Sequence, residues 1–147
     1  MSVTYTIHNE GHLVHAIASG RVTDKDLLGY EISFANDDRI VPGSDVVFEI
    51  KPDCVVTITG EGMQKAIERR EALAKKRKSY RCAIVIPYKN RQIWETAQYY
   101  KKKNESKFPG IITVLFSDMG VAGAWLGIED SRGRGAFETI TENKSRR

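Results

Sequence analysis

The sequence has only two cysteines, Cys54 and Cys82, and no C-x-x-C pair. Two thiols so placed build neither a disulfide framework nor a cysteine-rich metal centre. Histidine is equally scarce: His8, His12 and His15 are the full complement, all on one short segment. Any general base of the Ser-His-Asp or Cys-His kind would have to come from there, and strand alternation turns His12 and His15 to opposite faces. No carboxylate or thiol motif completes a metal site around them, so no metal or other cofactor is expected. No apolar run approaches the ~20 residues that a membrane helix needs; "CAIVIP" and "IITVLF" are the longest and are of strand length. The opening "MSVTYTIHNEGH" lacks a basic segment followed by an apolar one, so no secretory signal is read and a cytoplasmic protein with reduced thiols is expected. Neither G-x-x-x-x-G-K-[S/T] nor G-x-G-x-x-G occurs, which argues against a nucleotide loop.

What is present suits one domain. A chain of 147 residues with 41% hydrophobic and 29% charged residues can bury a core without staples. The net charge of +4 is unevenly spread. Residues 1–58 carry four Lys/Arg against nine Asp/Glu, residues 59–107 carry fourteen against five, and residues 108–147 carry five of each. The basic excess is confined to the central block, where a localised field attracts anionic partners.

The pattern of elements is regular. "VTYTIH" and "LVHAIASGRV" alternate as half-buried strands, joined by a turn from Asn9 to His12 in which Gly11 supplies positive φ. Thr23 followed by Asp24 and Asp26 reads as an N-cap with acids in the first turn, opening a helix whose apolar residues are Leu27, Leu28, Ile32, Phe34 and Ala35. "DVVFEI" is a short strand, and Thr59 or Gly60 begins a second helix lined by Met63, Ala66, Ile67, Arg70 and Ala74. "YRCAIVIP" reads as a strand buried on both faces, and a third helix spans about 90–104 with Ile93, Ala97 and Tyr100 on one side. "GIITVLF" and a short helix ending at Gly127 complete residues 1–127, and 128–147 read as a polar tail. The order β-β-α-β-α-β-α-β-α predicts an α/β fold with a mixed sheet of four or five strands, flanking helices and an antiparallel edge.

Several segments together resemble a known family. "GHLVHAIASGRVTDKDL" is similar to the strand-then-"G-x-(L/V)-T-x-x-D(L/F)" opening of STAS domains, the fold of bacterial anti-sigma-factor antagonists. "RCAIVIPYKNRQIWETAQYY" and "IITVLFSDMGVAGAWLG" resemble the small single-domain STAS/SEC14-like branch, in which "VFxDxxxAxxWL" closes the chain; here Val114, Phe116, Asp118 and Trp125-Leu126 carry it. The resemblance spans most of residues 4–127. It implies a non-enzymatic regulatory or scaffolding module acting by protein–protein contact, as a homodimer or larger homo-oligomer. For the SEC14-like relatives it implies a small apolar or acidic lipid-like ligand instead. It also implies a phosphorylated hydroxyl at the start of the second helix. Thr57 and Thr59 are the hydroxyls there, without the family's preceding aspartate.

Two candidate surfaces follow. Thr57, Thr59 and Gly60 in "VTITGEG" offer a phosphate or phosphorylation site, because free N–H groups and the helix dipole point outward at a helix start. The ordinary preference of threonine for the N-cap favours a plain cap, and Glu61 repels an anion. Arg69, Arg70, Trp94, Tyr99, Lys101 and Lys102 offer a ligand or partner surface on the second and third helices, with "KKRK" at 75–78 and Tyr88 nearby. Glu68 and Glu71 interrupt the basic run and no nucleic-acid motif is present, so a nucleic-acid partner is not expected. Trp94 and Tyr100 read foremost as packing residues, and Cys54, in a loop, as the more accessible thiol.

Overall fold

Alternating side chains in Val3–His8 and Leu13–Ala18 form strands β1 and β2, paired antiparallel with Tyr5 opposite Ala16. The computed structural model describes residues 2–73, 80–87 and 90–128. Between the two strands the chain reverses through Asn9–Gly11, and Gly11 there has φ +93°. A Cβ on Gly11 would lie 2.3 Å from the Arg39 carbonyl oxygen, so conformation and close approach both demand glycine.

A two-residue strand, β3 (Arg21–Val22), leads into helix α1 (Asp24–Ala35), whose start is a capping box between Thr23 and Asp26. There follow β4 (Asp45–Ile50), β5 (Val55–Val56), α2 (Gly60–Leu73), β6 (Tyr80–Val85), α3 (Arg91–Lys107), β7 (Ile111–Phe116) and α4 (Met119–Trp125). The main sheet has five strands in the order β1-β2-β4-β6-β7, antiparallel at the β1 edge and parallel elsewhere. The predicted mixed α/β architecture is present. The sequence reading carried the second strand through Val22, whereas β2 ends at Ala18 and Arg21–Val22 stands apart as β3; it missed β5, to which β3 pairs parallel, because two residues carry no period to read.

A sheet whose strands follow one another in chain order, with crossovers of one hand, places successive helices on one face. The core reflects this. Val14, Ala16, Val46, Cys82, Ile84 and Ile111 pack with Leu27, Tyr30 and Phe34 of α1, Met63, Ala66 and Ile67 of α2, and Ile93 and Ala97 of α3. On the other face Leu13, Val47, Ala83 and Val85 pack with Ala122 and Leu126 around α4. Thus β6 is buried on both sides, as its unbroken apolar run predicts. Arg81 fastens α4 down: its guanidinium bonds both Asp45 carboxylate oxygens and reaches the Leu126 carbonyl at 3.2 Å.

The apolar stripe of α1 differs from its sequence reading. Leu27, Tyr30, Glu31 and Phe34 are the buried positions, spaced i, i+3, i+4, i+7, whereas Ile32 is exposed. The glutamate breaks the apolar pattern, and counting only apolar residues therefore rotated the inward face.

Candidate functional site

On the helix-bearing face, α1 packs closely along α2, while α3 meets α2 only sparsely. The gap opens a cleft of about 80 Å³ over the middle of the sheet. Its floor includes Val46, Phe48, Cys82 and Ile84, and its walls include Ile58, Met63, Ile93 and Ala97. Phe48, against the Tyr30 ring, and Ile50 lie on the central strand, are partly exposed and line the cleft. Ala18 and Ile50, at the carboxyl ends of β2 and β4, mark one end of the cleft. Crevices outside the carboxyl ends of parallel strands are where α/β sheets receive ligands. A cavity needs roughly 10–15 Å³ to admit a single water, so the cleft offers the room of a compact organic molecule.

A buried ion pair interrupts the apolar lining. Arg70 of α2 and Glu31 of α1 both line the cleft, and only 7% and 3% of their surfaces are exposed. Nε of Arg70 donates to Glu31 Oε2 at 3.2 Å, and Nη2 donates to Oε1. The guanidinium also lies over the Tyr100 ring, 5.2 Å from its centroid. Burial works against the Arg70 charge, but the Glu31 carboxylate beside it holds the guanidinium protonated, with its pKa well above the ordinary value. Tyr30 and Tyr100 also line the cleft, and burial first of all pushes both phenols well above their ordinary pKa. Both stay neutral hydrogen-bonding groups near neutral pH.

The residues read from sequence as a ligand or partner surface separate. Arg70 is not on the outer face; it leaves the basic run and enters the cleft. Arg69 and Lys102 are exposed, and Lys101 pairs with Glu105 on α3. Tyr99 is 47% exposed with Lys103 Nζ 5.5 Å over its ring, whereas Trp94 packs against the core. A helix turns five residues, Trp94 to Tyr99, through more than a full turn, so the two serve different surroundings. The basic stretch 75–78, Tyr88 and the tail from 129 lie outside the described residues.

The "VTITGEG" segment is filled by the protein itself. Thr59 caps α2: its Oγ1 accepts from the Gly62 N–H at 3.0 Å. The Thr59 hydroxyl donates to Asp24 Oδ2 at 2.6 Å, and the Thr59 N–H donates to Asp24 Oδ1 at 2.7 Å. An aspartate from α1 thus holds the position an anion would take, and Gly60 is the exposed first residue of α2. Thr57 donates its hydroxyl to the Val22 carbonyl at 3.2 Å, joining β5 to β3.

Two further polar features bear on stability. His15, buried on the α4 side of the sheet, bonds Glu49 through Nε2 at 2.9 Å, and Lys51 reaches the other Glu49 oxygen at 2.8 Å. These contacts, the His15 bond foremost, hold the Glu49 carboxyl down at about 2. Cys54, expected to be the accessible thiol, is buried at 3% exposure, and burial raises its pKa.

Sequence reasoning missed Glu31 as part of a site, although the signal is present. An acid sits on the inward stripe of α1 and an arginine on that of α2, two opposite charges at positions of an apolar face. Comparison of the chain with protein-family models, with curated proteins and with solved structures gives no match.

Proposed function

We propose that this chain is a non-enzymatic binding module that receives a compact, largely apolar molecule in the cleft between α2, α3 and the sheet. The observation that carries the reading is the cleft itself: an apolar recess over the central strand with one buried ion pair and two phenols in its lining. Such a recess, predominantly apolar with a few placed polar groups, is the usual form of a small-molecule site. The STAS/SEC14-like resemblance supports it, since its SEC14-like branch implies an apolar ligand. Titrating the protein with toluene while recording methyl NMR spectra tests it. Shifts centred on Ile58, Met63, Ile84 and Ile93 are expected, lost in an Ala97→Leu variant that fills the space. Wild-type spectra unchanged at millimolar toluene would overturn the reading.

A second reading, regulation through contact with a protein partner or a second copy of the chain, rests on the outer faces of α2 and α3. Arg69, Tyr99 and Lys102 are exposed there, an aromatic ring among cations. Tyrosine and arginine are the residues that anchor interfaces. Sedimentation of wild type against Tyr99→Ala tests self-association through this face. An unchanged mass distribution would remove the homo-oligomer form of it.

A further inference from the structure

The ligand class follows from the charge balance inside the cleft, an inference that rests on the binding reading above. Glu31 and Arg70 neutralise each other by side-on pairing, and both are almost fully buried. An acidic ligand entering beside them would bring a second negative charge into an apolar recess whose one cation among the described residues is already paired. Burying an uncompensated charge is far costlier than burying a neutral polar group. A ligand ammonium would fail equally, because the Glu31 oxygens already hold Arg70. Among the described residues, Arg70 is the member of the central block's basic excess that lines the cleft, and it is cancelled there.

Among the described residues the pair nevertheless leaves polar capacity over. Its two hydrogen bonds engage Nε and Nη2 of Arg70, so the Nη1 N–H groups lie outside it. Among the described residues no side chain hydrogen-bonds the Tyr30 phenol, which also lies in the lining. Both are donors, and a guanidinium N–H gives the stronger kind of bond. We infer that the natural occupant is an uncharged, compact apolar molecule bearing one oxygen acceptor, a carbonyl or hydroxyl, that meets Arg70 and Tyr30 while its hydrocarbon part lies against Phe48, Ile84 and Ala97. The carboxylate of a fatty acid is thereby disfavoured as the recognised group.

A matched series decides it: acetophenone, benzoate and ethylbenzene share one ring and differ in the polar group. Affinities come from NMR titration of the wild-type protein at pH 7. Acetophenone is expected to bind about tenfold more tightly than benzoate and about three- to tenfold more tightly than ethylbenzene. Benzoate equal to or tighter than acetophenone overturns the charge argument while the cleft reading stands. Ethylbenzene equal to acetophenone removes the role of the donors and likewise overturns the inference alone. None of the three binding sinks the cleft reading itself, and with it this inference. In Glu31→Gln, which leaves Arg70 uncancelled, the order of benzoate and acetophenone is expected to reverse. Should that variant fail to fold, Tyr30→Phe is read instead, with the acetophenone advantage over ethylbenzene expected to shrink by about threefold.

Discussion

Arg70 shows how one side chain sets the energetics around the cleft. Removing its charge alone, as in Arg70→Met, strands the Glu31 carboxylate in a nearly dry site and is expected to cost about 3–5 kcal/mol in urea denaturation. Glu31→Leu combined with Arg70→Met is expected to recover most of that loss, because neither charge is then left alone. Recovery of less than half would mean that packing, and not the stranded charge, dominates. Glu49 yields a second prediction at this scale. Its carboxyl lies at about 2 in the folded protein against the ordinary 4.5, a depressed pKa. The folded state therefore gains stability from Glu49 above pH ~4.5 and loses it as pH falls toward 2. With allowance for the part of the carboxylate open to water, the gain is on the order of 2 kcal/mol. Glu49→Gln should flatten the fall in stability between pH 4.5 and 2.5. A slope identical to wild type would show that the bonds to His15 and Lys51 do not persist in solution.

Between elements, the junction of α1 and α2 is decided by space as much as by hydrogen bonds. A Cβ on Gly62 would sit 2.1 Å from the Asp24 carboxyl carbon. Alanine is a far better helix former than glycine, so Gly62→Ala on an isolated helix would stabilise. Here Asp24 must swing away and release both bonds to Thr59, and the variant is expected to lose about 1–2 kcal/mol. Asp24→Ala combined with Gly62→Ala should be no less stable than Asp24→Ala alone, measured by thermal denaturation. The same junction explains why the helix start carries no exposed anion site: the two helices meet there, and one supplies the anion.

For the whole molecule, the cleft is a packing deficit between the helices and the sheet. Protein interiors are packed like organic crystals, and an unfilled recess gives up dispersion contacts on its lining. Ala97→Leu places a larger side chain in that space from α3 and is expected to raise stability by about 1 kcal/mol while abolishing toluene binding. Raised stability with binding intact would place the ligand elsewhere. A fold that keeps such a recess over its central strand, instead of closing it with a larger residue at Ala97, forgoes stability that is simple to obtain, in keeping with a binding role.

Much of this was legible in the residues alone. The period-2 and helical patterns placed nine of the eleven described strands and α-helices in the correct order, Thr23 and Thr59 announced their caps, and the unbroken run in β6 announced burial on both faces. These features depend on neighbours within a few positions, and local spacing is what a sequence displays. The destination of Arg70, the burial of Cys54 and the occupation of the α2 N-terminus by Asp24 were decided by tertiary structure. Each joins residues more than thirty positions apart or depends on which elements lie side by side. The cleft is further still from the sequence. It is the difference between the spacing of α2 and α3 and the volume of the side chains between them, and no single residue carries that difference.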